Sequence, residues 1–219
     1  MTFKSKRIIV LVLSMLFMFS FTACGRSGAV ERNDIKMEKP GNNANGKGVL
    51  VVYFSMAGEQ YGVGNIQEGN TAIVAKMLAQ ETGADIFEIK PVDNKYHTSY
   101  ANLTAIAKNE KNKHARPAYV GGVPELSKYD TIFIGAPVWW GEWPMICYTF
   151  FEKENLAGKT LYPFATHGGS GLAGFDASLA RAVPQSKVGK GIAIYGSDCQ
   201  NNKDGVKQQL QSWIKAIGK

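Results

Sequence analysis

From Val49 onward the chain alternates short apolar runs with stretches of helical periodicity, five times over. The runs at 49–54, 85–89, 131–134, 160–166 and 191–195 are rich in β-branched and aromatic residues and show little polar alternation. Such runs suit strands covered on both faces, as in a parallel sheet. Helices are predicted over 71–82, 100–112, 144–152, 175–183 and 204–217. The first has Ile73, Val74, Met77 and Leu78 on one face, and the last has a stripe of Val206, Leu210, Trp213, Ile214 and Ile217. Pro144 stands where a helix tolerates proline, at its start. Five β-α units predict an α/β fold, a three-layer α/β/α sandwich around a five-stranded parallel sheet in the doubly wound order 2-1-3-4-5.

In that order ligands sit outside the carboxyl ends of the strands, near the switch point between the first and third strands. Three loops there carry candidate chemistry. After 131–134 come Pro137, Val138, Trp139, Trp140 and Gly141, then Trp143 and Pro144. The prolines stiffen the loop, Gly141 lets it turn, and the tryptophans offer flat apolar surfaces suited to a planar aromatic ligand. Each tryptophan could instead be a core or interface anchor. Adjacent Trp139 and Trp140 do not easily share one core, so at least one is expected to face the crevice.

After the first strand come Ser55, Ala57 and Gly58, an inserted stretch 59–69, and Asn70 and Thr71 at the start of a helix. A hydroxyl at a strand end and the outward amides of a helix N-terminus form a phosphate cradle that needs no lysine. Asn70 or Thr71 reads equally well as the N-cap of a simple capped helix. The Gly-Lys-Ser/Thr of a nucleoside triphosphate loop is missing. In the third loop, Thr166, His167, Gly168, Gly169, Ser170 and Gly171 let backbone N–H groups approach a ligand edge. His167 there either donates to a ligand or serves as a structural hydrogen-bonder. Gly169-Ser-Gly171-Leu-Ala-Gly174 also has dinucleotide-fingerprint spacing, but follows the fourth strand rather than the first.

Taken together, the three loops resemble the flavodoxin family, particularly members with Trp-Trp in the second loop and Thr-His-Gly-Gly-Ser-Gly in the third, over about residues 48–217. The resemblance implies that Ser55, Ala57, Gly58, Asn70 and Thr71 hold the phosphate of flavin mononucleotide (FMN). It implies that residues 137–141 flank the isoalloxazine, with Trp139 or Trp140 stacked on a face, and that residues 166–171 line its edge. The redox chemistry would then be the flavin's. The chain would be an electron carrier serving a redox partner protein or a small electron acceptor, or else a reductase that uses a nicotinamide dinucleotide to reduce a quinone or flavin. The chain departs from the family in its insertion at 59–69 and in being basic where typical flavodoxins are acidic. A reading of another class is a non-redox module whose tryptophans stack a sugar or peptide.

Composition adds location. The 219 residues suit one domain, 48–219, with terminal extras. Residues 1–24 read as a lipoprotein-type export signal: Lys4, Lys6 and Arg7, an apolar run at 8–21 too short for a span of about 20 residues, and small residues before Cys24, the expected lipidation site. Residues 25–47 read as a flexible tether. The expectation is an exported protein, anchored by lipid to a membrane of the bacterial envelope. Three of the seven excess positive charges lie in the signal, leaving +4 in a pattern with no nucleic-acid motif. Cys147 and Cys199 are expected to be buried, with a disulfide between them conceivable in an exported protein. His97, His114 and His167 are too far apart in sequence for a metal motif. Neither Ser55 nor Ser170 sits in a nucleophile elbow.

Overall fold

The structure, a computed structural model, describes residues 48–219. The export signal, Cys24 and the tether lie outside the described residues. The strands are β1 (Gly48–Tyr53), β2 (Gly58–Gln60), β3 (Gly64–Ile66), β4 (Asp85–Glu88), β5 (Tyr129–Pro137), β6 (Thr160–His167), β7 (Lys187–Val188) and β8 (Ile192–Tyr195). The helices are α1 (Asn70–Thr82), α2 (Tyr100–Asn112), α3 (Met145–Lys153), α4 (Phe175–Ala182), α5 (Gly196–Asn201) and α6 (Lys203–Ala216).

Side-chain alternation within the apolar strands sets the layers. Leu50 and Val52 of β1, with Phe54 just beyond it, enter one core together with Ile132 and Ile134 of β5. Val51, Tyr53 and Phe133 enter another on the opposite face. The first core is closed by α2, α3 and α4 through Leu103, Ile146, Phe150, Phe175 and Leu179. The second is closed by α1 and α6 through Ile73, Val74, Leu78, Val206, Leu210 and Trp213. Each fully buried aliphatic or aromatic side chain contributes roughly 1.5–3 kcal/mol, which is why the central strands need no alternation with polar residues. Cys147 lies in the first core and Cys199 in the second, so the sheet separates them and both are free thiols. Burial pushes Cys199 up to about 12 and raises Cys147 as well, keeping both protonated.

All pairings in the main sheet are parallel, in the order β4-β1-β5-β6, with β7 and β8 both on the far side of β6. This is the doubly wound order expected from the sequence, with two differences. The fifth row is broken into two short segments, because Pro163 in the facing stretch of β6 has no N–H to donate and one extra residue enters the row between Val188 and Ile192. A second difference is the insertion, which forms a small antiparallel hairpin from β2 and β3. Glu59 ties that hairpin to α2 by accepting the Tyr100 N–H at 2.8 Å.

Gly135 in β5 shows how tightly the sheet is packed. A Cβ there would lie 2.2 Å from Phe164 Cε2, inside the ring rather than at a flexible side-chain end. Gly135→Ala is therefore expected to cost about 1–3 kcal/mol of stability through overpacking. Denaturant unfolding would show it as a lower midpoint with unchanged slope.

Candidate functional site

The carboxyl ends of β5 and β6 and the start of α1 open onto a cavity of about 410 Å³. That volume is in the range of small-molecule and cofactor sites. Its lining includes Asn70, Pro137, Val138, Trp139, Trp140, Thr166, His167 and Gly168, so all three loops contribute. Thr71 sits directly behind, fully buried, with its Oγ1 2.7 Å from Thr166 Oγ1, which joins the α1 start to the β6 end. Among the described residues, the lining holds no lysine, arginine, aspartate or glutamate.

At the α1 N-terminus the Ala72 N–H donates to Ser55 Oγ at 3.0 Å and the Ile73 N–H to the Gly69 carbonyl at 3.2 Å. The first two amides, Asn70 and Thr71, find no acceptor among the described residues and carry the positive end of the helix dipole. Asn70 is held by Gln200, whose Nε2 donates to Asn70 Oδ1 at 2.7 Å. Ser55 thus works as a remote helix cap. With Ala57 it lines a separate recess of about 360 Å³, not the cavity with the aromatic loop. Gly58 opens the hairpin and lines neither space.

The three tryptophans have three different environments. Trp143 is buried, stacked on Phe175 at 3.8 Å between ring centroids, and its Nε1 donates to the Phe175 carbonyl. Trp139 lines the cavity and packs edge-on against Phe54 and Tyr96, each at 5.3 Å. Trp140 faces outward at the cavity rim, because Trp139 and Glu142 exchange backbone hydrogen bonds around a tight turn in which Trp140 (φ 53°) and Gly141 (φ 70°) both adopt left-handed conformations. A non-glycine residue there carries strain. It is held by Trp140 Nε1 donating to the Thr104 carbonyl at 2.9 Å and by Lys111 Nζ donating to the Trp140 carbonyl at 2.6 Å.

His167 Nδ1 accepts the Gly169 N–H at 2.9 Å, which puts the proton of the neutral ring on Nε2. Gly169, Ser170, Gly171 and Gly141 stand outside the cavity lining. Burial holds the His167 pKa below its ordinary value, and the nearby Asp198 carboxylate offsets part of that. With the folded-state pKa depressed, the stability owed to the neutral ring is complete above the ordinary histidine value, about 6.5. It is lost as pH falls through that value toward the lower folded one. Melting temperatures across this window should therefore fall more steeply for the wild type than for His167→Gln.

Several lining residues were not singled out from the sequence. Gln60 and Tyr61 come from the hairpin, Tyr100, Leu103, Thr104 and Ala107 from α2, and Gly196 from the end of β8. Tyr61 lies over Gly168, where a Cβ would be 2.6 Å from its Cδ1, and its ring centroid is 6.2 Å from that of Tyr100. The Leu103 and Ala107 spacing was a usable signal for an inward face of α2. Gly196 follows a parallel strand, where the strand-end rule applies equally.

A doubly wound sheet with a cofactor-sized cavity at its switch point, walled by aromatic rings and by a helix N-terminus, defines a nucleotide-type binding protein. Residues 48–217 match the family described as Flavodoxin, and the chain belongs to that family. Among solved structures, a candidate flavoprotein from Bacteroides uniformis is 31% identical, with 76% of this chain and 99% of that one covered and a TM-score of 0.59. One from Bacteroides eggerthii is 28% identical, with 79% and 99% covered and a TM-score of 0.63. A flavoprotein of Lactobacillus acidophilus in complex with FMN is 20% identical, covers 71% and 97%, and has a TM-score of 0.55, a likeness of fold. No curated protein matches the chain.

Proposed function

We propose that this chain binds FMN in the 410 Å³ cavity and transfers electrons in the bacterial envelope, held at the membrane by lipid on Cys24. The observation that carries the reading is the convergence of Asn70, the Trp139–Trp140 loop and Thr166–His167 on one space. The fit is chemical as well as spatial. The Asn70 and Thr71 amides, which find no acceptor among the described residues, suit the phosphate, and no carboxylate of those residues lines the cavity to repel it. Trp139 and Tyr100 suit a planar apolar ring and exclude water from it. The Nε2–H of His167 would serve as a donor to the bound group.

When bound, FMN supplies one- and two-electron chemistry, and the protein orients it and tunes it by stacking and hydrogen bonds. An FMN-bearing relative of the same fold supports the cofactor, and family membership supports the electron-carrier role. The test is steady-state oxidation of NADH and NADPH by the flavin-loaded chain with a small quinone present. A carrier gives no sustained turnover. Sustained turnover would instead make the protein a nicotinamide-dependent reductase.

A further inference from the structure

Three aromatic rings at the cavity mouth face solvent. Tyr61 is 66% exposed, Tyr195 51% and Trp140 49%. Tyr61 and Trp140 line the cavity, and Tyr195 packs on His167 with ring centroids 4.3 Å apart. Tyr61 and Trp140 wall the cavity assigned to FMN, whereas Tyr195 stands outside its lining.

Beside Trp140, the C-terminal half of α2 and its cap carry Lys108, Lys111 and Lys113. Lys108 Nζ sits 4.9 Å from the Trp140 ring centroid, and Lys111 holds the Trp140 carbonyl. None of the three has a carboxylate partner among the described residues, whereas the nearby Lys95 and Arg116 pair with Glu110 and Glu152. Glu59 accepts the Tyr100 N–H, Glu110 is buried under Tyr96, and Glu142 accepts from Tyr148 and from the Trp143 N–H. Of these acids only Glu110 has an ammonium partner among the described residues, and the others, Glu59 on β2 and Glu142 in the loop after β5, lie off this half of α2, as does Asp198 on α5.

We infer that this face docks an acidic partner protein, with Tyr61, Trp140 and Tyr195 as apolar anchors and the α2 lysines as a charged rim. The inference rests on the electron-transfer reading and deepens it by giving the partner's charge. Aromatic anchors with a charged rim are the usual anatomy of a transient interface. Unneutralised lysines at the rim steer an acidic partner toward the flavin cavity and repel a basic one. A span of charge along α2 from Lys108 to Lys113, with Lys108 and Lys111 at Trp140, suits a protein surface better than a small anion.

The test measures binding, not electron flow, on the full chain with and without FMN. The probes are an acidic ferredoxin and a basic c-type cytochrome, followed by NMR line broadening and by the Trp140 indole signal. The ferredoxin is expected to bind and the cytochrome not to bind. Raising salt from about 20 to about 300 mM should weaken the ferredoxin complex roughly tenfold. The double variant Lys108→Glu/Lys113→Glu, whose side chains lie outside the cavity lining, should weaken it by a similar factor at low salt. Preference for the cytochrome, no ferredoxin binding, or indifference to the charge reversal would overturn the inference. Failure of the FMN reading would show separately, as a chain that takes up no flavin.

Discussion

Asn70→Asp is expected to weaken FMN binding roughly 100-fold while leaving riboflavin, which lacks the phosphate, bound nearly as before. Asn70 lines the cavity in the first turn of α1, and its Oδ1 accepts from Gln200 Nε2. An aspartate keeps that acceptor and the residue's volume but adds a negative charge where the phosphate is expected. At an effective dielectric constant of about 20, like charges some 4 Å apart repel by about 4 kcal/mol, and screening leaves about 3. The effect on the flavin-free protein has the opposite sign. The first turn of α1 holds no acidic residue, so a carboxylate there should stabilise the helix by about 0.3–1 kcal/mol. Fluorescence titrations with both flavins, alongside melting curves of the flavin-free variant, read all three quantities. Equal losses for FMN and riboflavin would remove the phosphate from the α1 N-terminus.

Trp143→Ala is expected to destabilise the fold by about 3–5 kcal/mol, a large part of a typical domain's 5–15. Trp143 is 1% exposed, stacked on Phe175, edge-on to Phe151, and hydrogen-bonded through Nε1. Truncation opens a cavity and strips the Phe175 carbonyl of a partner. Trp140→Ala, half-exposed and at a strained backbone position, should cost less than about 1 kcal/mol. Denaturant unfolding of the two variants separates the scaffold tryptophan from the rim tryptophan.

The contrast shows where sequence reasoning reaches and where it stops. The layers were legible because burial on both faces leaves a continuous apolar signature, as in β1 and β5. The bounds of α2 came out as expected, 100–112, and Ser99 caps it by accepting the Asn102 N–H. The fates of the three tryptophans were not legible, since a two-residue turn with positive φ at Trp140 and Gly141 decides which ring points inward. Asn70 and Thr71 read as cap candidates, yet the N-cap is Gly69, and Ser55, read as a phosphate ligand, accepts the Ala72 N–H from 17 residues away. The hairpin at 58–66 hides its strand period among glycines and polar residues, so the Tyr61 wall could not be foreseen. The cavity's outline came from the strand-end rule, while its far wall depended on tertiary contacts of α2.

The central claim is that one cavity, built from three strand-end loops, takes FMN. Titration of the purified chain with FMN, followed by flavin fluorescence and visible absorption, tests it most directly. The account predicts saturable uptake of one FMN per chain with quenched fluorescence, and weaker uptake of riboflavin. A protein that stays colourless and leaves flavin fluorescence unquenched at saturating concentration would contradict it.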